Sequence, residues 1–184
     1  QMARNYSQEL AGAPAGEKQQ KALYLISEAA SSSITLEELY GVVHQIINEL
    51  IPAKNFYIAL YDQVTDIVHF PYYVDESDPN PGPIRKGKSL TEYVIKTEKP
   101  LLIRSNDHCE LVLDNEYKPV GTPAKEWLGV PLRSSNNKVF GVMTVQTYEE
   151  TRGYSTTDRD ILTFVSTQVA MAIERKRSEQ SLRE

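Results

Sequence analysis

Cysteine is nearly absent: Cys109 is the only one in 184 residues. An intramolecular disulfide and a four-cysteine zinc site are therefore excluded, and a reducing compartment fits. Histidine is almost as scarce. His44, His69 and His108 are the only three, and none has the i, i+4 or carboxylate-flanked spacing of a metal site. No apolar run approaches the ~20 residues that span a bilayer; "WLGVPL" is typical of the longest. No signal peptide is evident, so the expected location is cytoplasmic, without direct membrane contact. Positive charge is also short. With 20 basic against 25 acidic residues the net charge is -5, and no basic stripe interleaves with aromatics, which argues against nucleic acid as a partner. Finally, no phosphate-cradling glycine loop, Ser-His-Asp arrangement, GGDEF signature or kinase signature is present, so no catalytic residue can be assigned within these residues.

What the chain does have is a composition of 40% hydrophobic and 24% charged residues, enough for one domain with a real core. "AGAPAGE", residues 11 to 17, carries the small residues of a linker, so 1–17 reads as a linker or flexible segment and the ordered domain as 18–175. A helix follows with Ala22, Leu23, Leu25, Ile26 and Ala29 on helical spacing. Thr35 and Glu38 form a capping-box pair that opens a second helix, whose stripe is Leu36, Leu39, Val43, Ile46, Ile47 and Leu50 before Pro52 stops it.

The stretch "NFYIALYDQVTDIVHFPYYVDESDPNP", residues 55 to 81, reads as a hairpin over about 55–61 and 66–74, with "DQVT" as its loop. Phe56, Ile58 and Leu60 share one face of the first strand; Tyr57, Ala59 and Tyr61 share the other. Neither face is polar, so both are covered. The rings on the second face must pack against protein or against something the protein holds.

A helix near 90–97 and a short strand in "PLLIRS" come next. Asp107 and Glu110 have the spacing of a capping box for a brief helix. "EWLGVPLRSSNNKVFGVMTVQTY" is a second hairpin with "SSNNK" as its turn. The last helix opens at "STTDRD", with Thr157 as the expected cap, and continues without a breaker for about 26 residues. Its charged second half is expected to project outward, with 176–184 starting a signalling helix towards the next domain. The chain opens on Gln1 and its last helical pattern is not closed by glycine or proline, so a fragment of a longer protein is expected.

In that order, "FYIALYD", "FPYYVDE", "GKSLTEYVIKTEKPLLI", "EWLGVPLRSSNNKVFGVMTVQ" and "YSTTDRDILTFVSTQVAMAIERKR" resemble a GAF domain over roughly residues 20 to 177. The resemblance implies an α+β, GAF-like (profilin-like) fold. It has a twisted antiparallel sheet of five to six strands, N- and C-terminal helices on one face, and a ligand pocket on the other. It further implies a sensor module in a bacterial signalling protein, of the histidine kinase or PAS-linked diguanylate cyclase type. The pocket would be formed by Tyr57, Tyr61, Phe70, Tyr72, Leu90, Tyr93, Val94 and Trp127, with Ala59 and Val68 on the same strand faces.

The implied partners are an unidentified small molecule, a downstream effector domain in the same chain, and a second copy joined through the N- and C-terminal helices. Ile161, Leu162, Val165, Val169, Ala172 and Ile173 would be the stripe shared between the sheet and that copy.

Other ligands of the family are less well matched. Asp107-His108-Cys109 is similar to the bilin-attaching Asp-x-Cys-Phe motif, but Glu110 stands where phenylalanine is required. The NKFDE pattern of cyclic-nucleotide-binding members is absent, and one cysteine does not suffice for the methionine sulfoxide reductases built on this fold. No cofactor is required by the sequence. A haem on a single histidine, or a ligand-free dimerisation and spacer module whose own rings fill the pocket, stay open as alternatives; His44 and His69 read as surface or cap residues.

Overall fold

A computed structural model describes residues 4–85, 87–104, 117–118, 120–150 and 153–184. Asp107, His108, Cys109, Glu110 and the brief helix expected there lie outside the described residues.

Four helices form one layer: α1 (Tyr6–Ala11), α2 (Lys18–Ser31), α3 (Leu36–Leu50) and the long C-terminal α5 (Thr156–Ser181). Six strands form the sheet: β1 (Asn55–Asp62), β2 (Ile67–Val74), β3 (Ile84–Arg85), β4 (Leu101–Arg104), β5 (Glu126–Arg133) and β6 (Val139–Thr147). Their order is β3-β2-β1-β6-β5-β4, with every pair antiparallel. The short helix α4 (Leu90–Thr97) covers the opposite face. This is the fold the resemblance implies.

Each face has its own apolar cluster. Phe56, Ile58, Leu128, Val130, Leu132, Met143 and Val145 meet the helix layer, while Tyr57, Ala59, Val68, Trp127 and Val142 meet Leu90, Val94 and Ile95 of α4. Strand parity accounts for the division, because alternate residues point to opposite faces. The two hairpins turn where polar residues permit it. Asp62 accepts the Val64 amide through its carboxylate at 2.9 Å, and Asn137 adopts the left-handed φ of 63° in the second turn.

Local capping agrees with the sequence at α3, departs from it at α5, and adds at α4 a box that was not expected. Thr35–Glu38 and Ser89–Glu92 are reciprocal capping boxes, and so is Ser155–Asp158, which places the last cap two residues before the expected Thr157.

Three expectations are corrected. Tyr6–Ala11 is helical where composition suggested a linker: Asn5 caps it, and Tyr6 and Leu10, four residues apart, are buried against the other helices. The C-terminal stripe, expected to be divided between sheet and partner, lies in the domain's own core. Leu162, Val165, Val169, Ala172 and Ile173 are all at most 2% exposed within the domain's own core, and Ile161 packs against it. The residues that α5 leaves outward are instead Phe164 and Met171, with Leu182 just beyond its end. Nor does the charged half of α5 leave the domain at once. Lys176 is buried, its ammonium donating to the Ser32 carbonyl at 2.5 Å, while Arg175 donates to Ser31 Oγ at 2.8 Å. α5 thus stays clamped to the end of α2, and the side chains become exposed after that point.

Candidate functional site

Tyr57 is the centre of the α4-side cluster. Its hydroxyl accepts the Trp127 indole N–H at 3.1 Å and shares a hydrogen bond of 2.8 Å with Thr91 Oγ1. Indole N–H can only donate, so the phenol oxygen is the acceptor in the first of these. One side chain on β1 therefore ties β5 to the first turn of α4. Burial pushes the Tyr57 phenol up, against the downward pull of those same hydrogen bonds. The buried Thr144 hydroxyl stands beside it without a hydrogen-bond partner of good geometry among the described residues.

Two neighbours extend the cluster. Tyr73 stacks on Tyr57 with ring centres 5.2 Å apart and 17° between planes, and Phe70 meets both rings edge-on at 5.6 and 5.9 Å. Trp127 lies across Gly129, two residues on in β5: a Cβ on Gly129 would overlap the indole ring. Glycine is required there so that the ring can lie along the sheet.

The expected pairing of rings fails at one place. Between the partners of Ile58 and Leu60 the second strand carries two residues, Phe70 and Pro71, opposite Ala59 alone. Pro71 has no N–H to give to the ladder, and such residues are confined to edges and bulges. This bulge reverses the parity of β2. Val68 and Phe70 face α4 as expected, but beyond the bulge Tyr73 does so and Tyr72 does not.

Tyr72 instead enters the helix side, where its hydroxyl meets His44 Nδ1 at 2.8 Å. His44 Nε2 lies 2.6 Å from the Ala53 carbonyl and its ring stacks on Phe56 at 4.7 Å. A carbonyl only accepts, so Nε2 carries the proton and Nδ1 receives the Tyr72 hydroxyl. His44 is thus a structural bridge rather than a surface or cap residue, and burial lowers its pKa. His69 is exposed.

Above the ring cluster is a cavity of about 90 Å³. Of the residues expected to form a pocket, Tyr57, Phe70, Leu90 and Trp127 line it. Val94 is buried beneath, packing α4 to the sheet. Tyr61 packs against the α4-side cluster but is not in the lining, its hydroxyl donating to Asp66 at 2.7 Å; Tyr93 is half-buried on α4 and does not reach the lining. The remainder of the wall comes from residues that sequence reasoning missed, chiefly Tyr73, Asp78, Thr91, Gln146 and Tyr148.

Those last residues depend on contacts distant in sequence. Asp75 accepts from Gln146 Nε2 at 2.6 Å, from the Tyr148 hydroxyl at 3.0 Å, and from the amides of Ser77 and Asp78 at 2.9 Å. Asp78 accepts the Thr122 amide at 2.8 Å and hydroxyl at 2.9 Å, clasping the loop after β2 to the loop before β5. Gly121 has a φ of 70°, and a Cβ there would come within 2.7 Å of the Asp78 carboxylate. The rings on this face are buried mainly against one another, and what they leave is a small cavity.

Among the described residues, no group of three or more His, Cys, Asp or Glu side chains is placed to hold a metal ion, and no helix is long and apolar enough to cross a membrane.

Comparison with known proteins agrees with this fold. The family model described as GAF domain matches residues 33–174. The chain is similar in structure to the GAF domain of a Coxiella burnetii phosphoenolpyruvate-protein phosphotransferase, at 16% identity and a TM-score of 0.70 over 91% of this chain and 99% of that one. The corresponding Acinetobacter domain gives 18% identity and 0.68 over 87% and 95%. A free methionine-R-sulfoxide reductase from Neisseria meningitidis, solved with its substrate, gives 12% identity and 0.69 over 91% and 95%. No curated protein matches the sequence.

Proposed function

This chain belongs to the GAF family, and from that premise we propose that it is a ligand-responsive regulatory module of a cytoplasmic bacterial signalling protein, holding a small molecule between sheet and α4. The proposed output is α5 in a dimer, leading to a kinase or cyclase domain in the same chain.

The observation that carries the reading is the position of Tyr57. It lines the cavity and is also the hydrogen-bonded link between α4 and β5. An occupant touching that phenol acts on the link, and it can shift the domain only by binding two arrangements of it with different affinity. A path onward exists in the packing. Trp127 faces the cavity, and its neighbour Leu128 faces the helix layer, where α5 packs on β5. Phe164, Met171 and Leu182 are the outward apolar side chains available to a second copy.

Thermal shift against fractionated bacterial metabolites tests the reading, because a ligand that binds only the folded state raises its apparent stability. A fraction that raises the melting temperature in a concentration-dependent manner supports it. Failure of every fraction favours the second reading, a ligand-free dimerisation module. That alternative has its own support in the cavity's size, since pockets for drug-sized ligands are about 300–1,000 Å³ and this one is about 90 Å³. Haem or bilin attachment has less support, as none of the described residues lining the cavity is histidine or cysteine.

A further inference from the structure

If the cavity holds a ligand, as proposed above, its wall restricts what that ligand is. Six of the lining residues are aromatic: Tyr57, Phe70, Tyr73, Tyr117, Trp127 and Tyr148. Asp78 is the only charged side chain among the described lining residues, and no lysine, arginine or histidine joins it. Much of the wall's hydrogen-bonding capacity is engaged internally. Trp127 donates to Tyr57, Tyr57 is paired with Thr91, and Gln146 and Tyr148 both donate to Asp75. Such a wall offers aromatic surface and negative charge more than a set of free directional contacts.

Asp78 is a charged group of the wall with accepting capacity left. A carboxylate has about four acceptor sites, and among the described residues Asp78 accepts only from the amide and hydroxyl of Thr122. Asp75 adds a second negative charge behind it. Among the described lining residues, the feature that would invite an anion is the start of α4, where Ser89, Leu90 and Thr91 line the cavity. That end is already served by a carboxylate: buried Glu92 accepts the Gly87 amide at 2.9 Å and the Ser89 amide at 2.6 Å. Burial raises the pKa of the Tyr73 and Tyr148 phenols, and the nearby Asp75 and Asp78 carboxylates raise them further.

We propose that this cavity takes a small organic cation, an ammonium or methylated ammonium group of about half a dozen heavy atoms, held between aromatic rings and the Asp78 carboxylate. Aromatic faces attract cations most strongly where water is excluded, and a carboxylate beside them supplies the countercharge. A methylated ammonium also presents few or no N–H groups, so charge and aromatic contact rather than a set of directional hydrogen bonds would hold it.

Trp127 is the only tryptophan in the chain, so its emission reports on the cavity directly. The probes are tetramethylammonium chloride, uncharged tert-butyl alcohol and sodium pivalate, titrated into the whole 184-residue chain at constant ionic strength. Tetramethylammonium is expected to give a saturable change with an affinity at least tenfold above either of the others. Asp78→Asn should weaken it at least fivefold, and Glu149→Gln, at an exposed carboxylate outside the cavity, should leave it unchanged. Equal or tighter binding of the alcohol or pivalate overturns the inference while leaving a ligand-binding cavity in place. Unaltered affinity in folded Asp78→Asn also overturns it. If none of the three saturates, the inference fails, and the metabolite thermal-shift result decides separately whether the ligand reading fails too. Should Asp78→Asn not fold, the comparison of probe charges on the unsubstituted chain still decides.

Discussion

The Trp127 indole donates its N–H to the Tyr57 hydroxyl at 3.1 Å, joining residues 70 positions apart on β5 and β1. The same hydroxyl is bonded to Thr91 on α4. Sheet and covering helix are therefore linked through one phenol oxygen at the floor of the cavity.

Tyr57→Phe preserves the ring but leaves the Trp127 N–H and the Thr91 hydroxyl without their partner. A buried group stranded in this way costs about 1–3 kcal/mol. Urea denaturation should show a loss of that size. Hydrogen exchange should quicken first in α4, since Thr91 lies in its opening turn.

Gly129→Ala forces a methyl group into the Trp127 ring. Overpacking of this kind costs about 1–3 kcal/mol, occasionally more. In a double-mutant cycle with Trp127→Leu, most of the cost should disappear, because the smaller side chain vacates the space. Additive losses would mean that the clash is not with the indole.

Most of the elements were legible in hydrophobic spacing, and their arrangement in layers was implied by the resemblance to GAF domains. What was not legible turns on particular residues. Pro71 carried a signal for the bulge, but its effect on parity depends on which residue of β1 it opposes, so Tyr72 was assigned to the cavity in place of Tyr73. Asn5, Tyr6, Leu10 and Gly12 carry a cap, an i, i+4 pair and an end signal, yet a six-residue helix is too short to stand out by periodicity. Asp78 is held by Thr122, 44 residues away, and no local pattern encodes such a contact.

The His44 bridge makes stability depend on pH. Burial lowers its folded-state pKa, whereas an unfolded histidine takes up its proton near pH 6.5. As pH falls through 6.5 the unfolded chain binds more protons, so stability falls; above that value the contribution is fully present. Urea midpoints at pH 7.5 and 5.5 should therefore differ more for the unsubstituted chain than for His44→Asn. An equal difference would contradict the assignment.

The clamp between Lys176 and Ser32 predicts the behaviour of α5. Lys176→Met removes the buried donor to the Ser32 carbonyl while keeping the apolar stem. Amide exchange in residues 170–181 should accelerate by at least several-fold with little change in β5 and β6. Uniform acceleration across the domain would indicate general destabilisation instead.

If the outward side chains of α5 meet a second copy, Phe164→Glu combined with Met171→Glu should shift the chain from dimer to monomer in analytical ultracentrifugation. Both positions are about half exposed, at 42% and 54%, so the folded monomer should keep nearly its full stability.

Native mass spectrometry of the chain as purified from bacterial cells addresses the central claim most directly. A cavity of about 90 Å³ that holds a ligand predicts a non-covalent mass of about half a dozen heavy atoms. That added mass should vanish on denaturation and be reduced in Asp78→Asn. A bare mass under every growth condition, together with no stabilising metabolite fraction, would contradict the account and leave the aromatic cluster as core packing alone.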